Sequence, residues 1–427
     1  MSEAVIETRP HQVRLVVAGV IGNVLEWYDF ALFGYFASVI SGLFFPGENQ
    51  LAALLQTFGV FAVGYAMRPL GGVIFGHIGD RYSRKRALEL SVILMAIPTT
   101  CLGLLPTYAA IGIAAPILLT LIRIVQGVSV GGEMIGSVSF LGEHSPAGRR
   151  GLLGSWSMCS AIGGILLGSA VAALMHEVLP DDALQTWGWR IPFVCGSLVG
   201  VVGLWLRRGI EEPPPEPRPT GAFADRSPVV QALAENRLAI FQTFAITTMV
   251  SVGFYMPFVW LSTWLMKINK PPLESALTVN TLAMTVLLLL IPLGGIISDR
   301  IGRKLSLLLS AAAYVVLAYP LFLLLSRGDF ASALVAQLVF ALCAGLALGG
   351  APAAYVELFP RGTRYSGIAI GYNAAQAVFG GTTPLVCTWL ISASGDLDAP
   401  GIYLAAIGLC VGLVVLTMKD RSKEPLT

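Results

Sequence analysis

The chain is a succession of long apolar stretches broken by short polar turns. A bilayer needs about 20 apolar residues per helical crossing. Twelve stretches meet that length, at residues 13–44, 51–77, 86–105, 112–142, 151–177, 189–206, 239–266, 276–298, 305–325, 331–358, 366–393 and 400–418. The pattern predicts an all-α integral membrane protein of twelve transmembrane helices, and an even number places both termini on one side.

The polar turns repeat. Gly76-His77-Ile78-Gly79-Asp80-Arg81-Tyr82-Ser83-Arg84-Lys85-Arg86 returns as Gly295-Ile296-Ile297-Ser298-Asp299-Arg300-Ile301-Gly302-Arg303-Lys304, with Asp80 and Asp299 219 residues apart. Glu143, Pro146 and Arg150 return as Glu357, Pro360 and Arg364, each 214 residues later. Two motifs at nearly one offset indicate a duplicated unit. Between the copies runs a segment of about 30 residues containing Glu211-Glu212-Pro213-Pro214-Pro215-Glu216-Pro217, too rich in proline and charge to span a membrane. The expected organisation is a six-helix bundle at 1–206, a cytoplasmic linker at 207–238 and a second six-helix bundle at 239–427.

Composition agrees with a membrane chain: 55% of residues are hydrophobic and 12% charged, against roughly 25% charged in an ordinary soluble domain. Of the 27 Lys and Arg, 21 fall on the side of the termini, four on the other side, and Arg68 and Arg123 within helices. The positive-inside rule then makes both termini cytoplasmic. The net charge of +2, spread over short loops, gives no nucleic-acid surface. The six cysteines lie in apolar runs with no metal-ligand or redox spacing. The polar start and long first apolar run argue for a retained anchor over a signal peptide.

The loop at 76–86 and Arg123-Ile124-Val125-Gln126-Gly127 resemble the signatures of the major facilitator superfamily. Gly22-Asn23-Val24-Leu25-Glu26-Trp27-Tyr28-Asp29-Phe30, Arg68-Pro69-Leu70-Gly71-Gly72, Gln126 to Glu133 and Trp187-Gly188-Trp189-Arg190-Ile191-Pro192-Phe193 are similar to its metabolite:proton symporter branch. The resemblance implies the major facilitator fold and import of a small organic acid or zwitterion, of the proline, betaine, citrate, 2-oxoglutarate or shikimate kind, together with a proton.

Candidate chemistry comes from charges in apolar runs, where an ionisable side chain costs at least about 2.5–3.5 kcal/mol. Glu26, Asp29 and Glu133 are candidates for proton coupling. Arg68 and Arg123 are candidates for pairing with these acids or with a substrate carboxylate, with Asn23 and Gln126 beside them. Three carboxylates against two guanidiniums leave one acid unbalanced, which is what a proton carrier requires. The plainer alternative is a neutralised cluster that only orients helices. The second half offers neutral recognition groups: Tyr255, Asn280, Tyr372, Asn373 and Gln376.

Asp80, Arg81, Arg84, Glu143, Asp299, Arg300, Arg303, Glu357 and Arg364 form a candidate cytoplasmic gate, with Asp80 paired to Arg84 or to basic groups near the eleventh helix, and with Ser83 loosening its turn. The expected protein is a monomeric symporter of a bacterial-type inner membrane, rocking two bundles about a midplane site. It is expected to be driven by the proton gradient without metal or cofactor, and to have no enzymatic activity. The alternatives are a proton-driven antiporter exporting a drug or metabolite and a membrane sensor that does not transport.

Overall fold

The computed structural model describes residues 9–47, 50–146, 148–208, 227–269, 273 and 275–426. Residues 209–226 of the expected linker lie outside them. Twelve helices among the described residues are long and apolar enough to cross a membrane: α1 (Val13–Tyr35), α2 (Ala52–Arg81), α3 (Arg84–Leu104), α4 (Ala114–Glu143), α5 (Arg150–Val178), α6 (Leu184–Arg208), α7 (Arg237–Met266), α8 (Ala276–Ile301), α9 (Arg303–Leu325), α10 (Phe330–Leu358), α11 (Arg361–Ser394) and α12 (Ala399–Leu416). No strand occurs among the described residues.

Hydropathy locates these helices but does not show where they are interrupted. The expected span 13–44 is two helices, Arg9–Tyr35 and Ala37–Phe44, parted at Phe36. The span 51–77 breaks at Met67, directly before Arg68-Pro69, so that Arg68 opens the segment Arg68–Arg81. α7 contains a wide π turn at Met256–Trp260 and ends in another, Trp264–Ile268, and α11 contains one at Gln376–Gly380. Pro257 lacks an N–H, so the regular ladder cannot run through the first of these.

By proximity along the backbone the chain forms two units, Met1–Leu141 with Gly163–Ala224, and Gly142–Ile162 with Asp225–Thr427. The second unit therefore includes the beginning of α5. In the first unit, α4 lies on α2 where Gly127 and Gly131 leave no room for a side chain: a Cβ on either would fall on the α2 backbone at Gly64 or Arg68. In the second, Gly345 and Gly349 of α10 meet α8 in the same way. Small residues give such close approach in lipid, where helix packing carries the association.

Candidate functional site

α1 presents Asn23, Glu26 and Asp29 to the interior of the first unit, each 1% exposed or less. Asp29 is fully engaged. It pairs with Arg123 Nη1 at 2.5 Å and accepts from Thr99 Oγ1 at 2.9 Å and from Gln126 Nε2 at 3.1 Å. The Arg123 guanidinium also lies 3.9 Å from the centroid of the Phe33 ring, so its charge is held by a carboxylate on one side and an aromatic face on the other.

Glu133 on α4 is held by a residue that hydropathy assigns to the linker. Arg207, 1% exposed at the end of α6, donates from Nη2 to Glu133 Oε1 at 2.7 Å, from Nε to Ala18 O at 2.8 Å, and from Nη1 to Leu88 O. Ser91 donates a further hydrogen bond to Glu133. The buried face of α6 reads Phe193, Gly196, Gly200, Gly203, Arg207. That spacing of three and four residues is the signal that would have placed Arg207 inside.

The cluster therefore contains three acids and three guanidiniums, not three and two. Even so, neither oxygen of Glu26 has a hydrogen-bond partner among the described residues. Glu26 lies in the positive field of Arg68 and the negative fields of Glu133 and Asp29. Arg68 is itself buried, with its guanidinium 5.4 Å from the centroid of the Tyr65 ring. Asn23 is in contact with Met134, Nδ2 to Sδ at 3.7 Å.

In the second unit the wide turn of α7 is served by two amides: Asn280 Nδ2 donates to Phe258 O at 3.1 Å and Gln337 Nε2 to Pro257 O at 2.8 Å. Asn280 thus satisfies a carbonyl of the irregular helix. On α11, Gln376 donates to the Tyr372 hydroxyl at 3.1 Å, and Asn373 is buried beside them in sequence. Tyr255 stands 5.5 Å from Phe254, ring to ring, and its ring edge adjoins Gly380 of the α11 wide turn.

The charged turns are paired within their own repeats and beyond. Arg84 pairs with Asp80 at 2.6 Å, and Arg303 with Asp299 at 2.9 Å. Asp299 also accepts the backbone N–H groups of Gly151 and Leu152, at 2.8 and 2.9 Å, at the N-terminus of α5, where a carboxylate is favoured by the helix dipole. Glu357 takes both Arg150, at 2.9 Å, and Arg303, at 3.1 Å, while Glu143 pairs with Arg364 at 2.9 Å. Arg81 and Arg300 are exposed and form no ion pair among the described residues, so of the expected gate arginines the pairing falls on Arg84, Arg303 and Arg364. Ser83 does not loosen its turn: it caps α3, accepting from the Arg86 N–H at 3.0 Å.

Residues 15–214 match the family described as "Sugar (and other) transporter", and residues 243–427 the "Major Facilitator Superfamily". The proline/betaine transporter of Salmonella typhimurium is 32% identical over 97% of this chain and 84% of its own length. The glycine betaine/proline/ectoine/pipecolic acid transporter OusA of Dickeya dadantii is 32% identical, also over 97% and 84%. Among solved structures, the proton:xylose symporter XylE bound to 6-bromo-6-deoxy-D-glucose superposes with a TM-score of 0.80 over 98% of each chain at 17% identity, a likeness of fold. With twelve apolar helices and relatives of this kind, the chain belongs to the major facilitator superfamily and is a multi-pass membrane transporter, not an enzyme.

Proposed function

We propose that the protein is a proton-coupled symporter that imports a small zwitterion or organic acid of the proline/betaine class by alternating access. The observation that carries this reading is Glu26. Asp29 is held by Arg123, Thr99 and Gln126, and Glu133 by Arg207 and Ser91; Glu26 is as buried as either and accepts no hydrogen bond among the described residues. A carboxylate without a donor in a dry interior is costly, and protonation removes the cost. Glu26 is therefore the group that loads and releases the proton. Arg123 touches Asp29 with one nitrogen, and its Nε and Nη2 have no hydrogen-bond partner among the described residues, leaving one edge of the fork for a carboxylate.

The names of the relatives favour proline and betaines within this class. A cluster mixing guanidiniums and carboxylates suits a substrate carrying both charges. Tyr255, Tyr372, Asn373 and Gln376 are the neutral recognition groups of this reading. The bacterial relatives and the basic loops support an inner-membrane location with both termini cytoplasmic, with residues 1–206 and 239–427 as the two repeats. No cofactor is needed.

The test is a panel of proline, glycine betaine, citrate and 2-oxoglutarate added to proteoliposomes containing a pH-sensitive dye. Acidification of the lumen on one compound is expected. Alkalinisation on the same compound would establish exchange in place of symport, and no response to any zwitterion or acid would overturn the substrate class.

A further inference from the structure

Ser83 and Gly302 hold the same place in the two repeats, yet the helices they precede begin differently. Ser83 caps α3 with its own hydroxyl. Gly302 has no side chain to offer and sits at φ +94°. The acceptor for the first turn of α9 comes instead from beyond α12: the Lys304 N–H donates to Asp420 Oδ2 at 3.1 Å. A Cβ at Gly302 would fall on that same oxygen. Lys304 Nζ adds a bond to Leu416 O at 2.6 Å.

The segment after α12 continues along the second unit. Asp420 Oδ1 accepts from the Ser422 N–H at 3.0 Å, Ser422 is buried, and the Glu424 N–H closes a turn onto Arg421 O at 3.0 Å. The Glu424 carbonyl then accepts from Arg150 Nη2. Arg150 is the arginine whose Nη1 pairs with Glu357. The second arginine on Glu357 is Arg303, the first residue of α9. The segment thus acts on both guanidiniums that hold Glu357, on Arg150 by a direct bond and on Arg303 by fixing the turn from which it springs.

We propose that residues 419–426 are a strap that locks the Arg150–Glu357–Arg303 node, so that docking of the strap and closure of the node are one coupled event. The strap is a control device only if that node opens during the transport cycle, and to that extent the inference rests on the function proposed above. With the strap docked, both terminal nitrogens of Arg150 have an oxygen acceptor. With it displaced, Nη2 loses its acceptor at a buried position, which weakens the node.

Hydrogen exchange on the full-length protein in lipid nanodiscs tests the coupling. In Asp420→Ala the amides of residues 303–306 are expected to exchange roughly fivefold faster, the effect of one lost helix cap, and the amides of Gly151 and Leu152 to accelerate with them. Acceleration confined to 303–306 would overturn the strap and leave Asp420 a local cap. Asp420→Asn, which keeps an acceptor oxygen, and Glu424→Ala, which keeps the carbonyl that Arg150 uses, are expected to match the parent; a loss of protection at Gly151 in Glu424→Ala would also overturn it. A spin label at exposed position 423 gives the reciprocal measurement without touching the cap. It is expected to be immobile in the parent and to gain mobility in Glu357→Gln, and equal mobility in both contradicts the coupling. Solute-driven proton flux is scored on the same purified variants reconstituted in proteoliposomes, so that lost flux with coupled exchange rejects the transport reading alone, and normal flux with uncoupled exchange rejects the strap alone.

Discussion

Glu143 pairs with Arg364 at 2.9 Å, and Glu357 pairs with Arg150 at 2.9 Å, so that each glutamate of one sequence repeat is bound to the arginine of the other. All four residues belong to the second unit and are buried to within 6% of full side-chain coverage. Glu357 also holds Arg303. Removing one partner of a buried pair typically costs about 3–5 kcal/mol. Glu357→Gln takes the carboxylate from Arg150 and leaves Arg303 with Asp299 alone, and thermal unfolding in detergent should show a loss of that order. An unchanged melting temperature would mean that neither arginine draws on Glu357.

Glu26→Gln and Asp29→Asn should behave differently in reconstituted transport. Glu26→Gln replaces a carboxyl that accepts no hydrogen bond among the described residues, so the fold should persist, counterflow exchange should remain, and accumulation driven by a pH gradient should fall to background. Asp29→Asn strips the charge partner from Arg123 and should impair exchange and accumulation together. Full pH-driven accumulation by Glu26→Gln would rule it out as the proton carrier.

Arg207→Met should destabilise the first unit by roughly 3–5 kcal/mol, because Glu133 is left charged and buried. Glu133→Gln in the same chain removes that charge and should restore most of the loss. A double-mutant cycle of melting temperatures reads the coupling, and strict additivity would deny the pair.

The cap on α9 should depend on pH. Burial works to raise the Asp420 carboxyl, but hydrogen bonds from the Ser422 hydroxyl and N–H and from the Lys304 N–H, with the nearby charge of Arg303, outweigh it and hold the group below its ordinary 3.8. A depressed carboxyl stabilises the folded state above the unfolded value and loses that contribution as pH falls through the folded one. Protection of the 303–306 amides should therefore be flat from neutrality to about pH 4 and decline below it, and Asp420→Asn should abolish the decline.

How much of this was legible in the sequence depends on where each charge sits. Asp29, Arg123 and Glu133 stand out because apolar neighbours surround them on both sides, and hydropathy alone marks the twelve helices. Arg207 is equally buried but precedes Arg208 at a helix end, where the positive-inside rule already accounts for basic residues. The 214-residue repeat pointed to Glu143, Arg150, Glu357 and Arg364 together, yet periodicity cannot say that they pair crosswise. The wide turns of α7 and α11 leave no trace in apolar content, since a π turn changes the hydrogen-bond register and not the composition. Asp420 is one of two acids in a polar tail, and only the folded chain brings it to Gly302.

Asp299 grips α5 through the amide hydrogens of Gly151 and Leu152 and not through any side chain. A clasp made this way is blind to nineteen of the twenty letters at position 152. Proline alone lacks the hydrogen it reads. Position 151 is the opposite case, because any Cβ there would press on the Gly295 carbonyl. In a saturation library the two neighbours should leave contrasting fingerprints: a column at 151 intolerant throughout, and beside it a permissive column at 152 with one severe outlier.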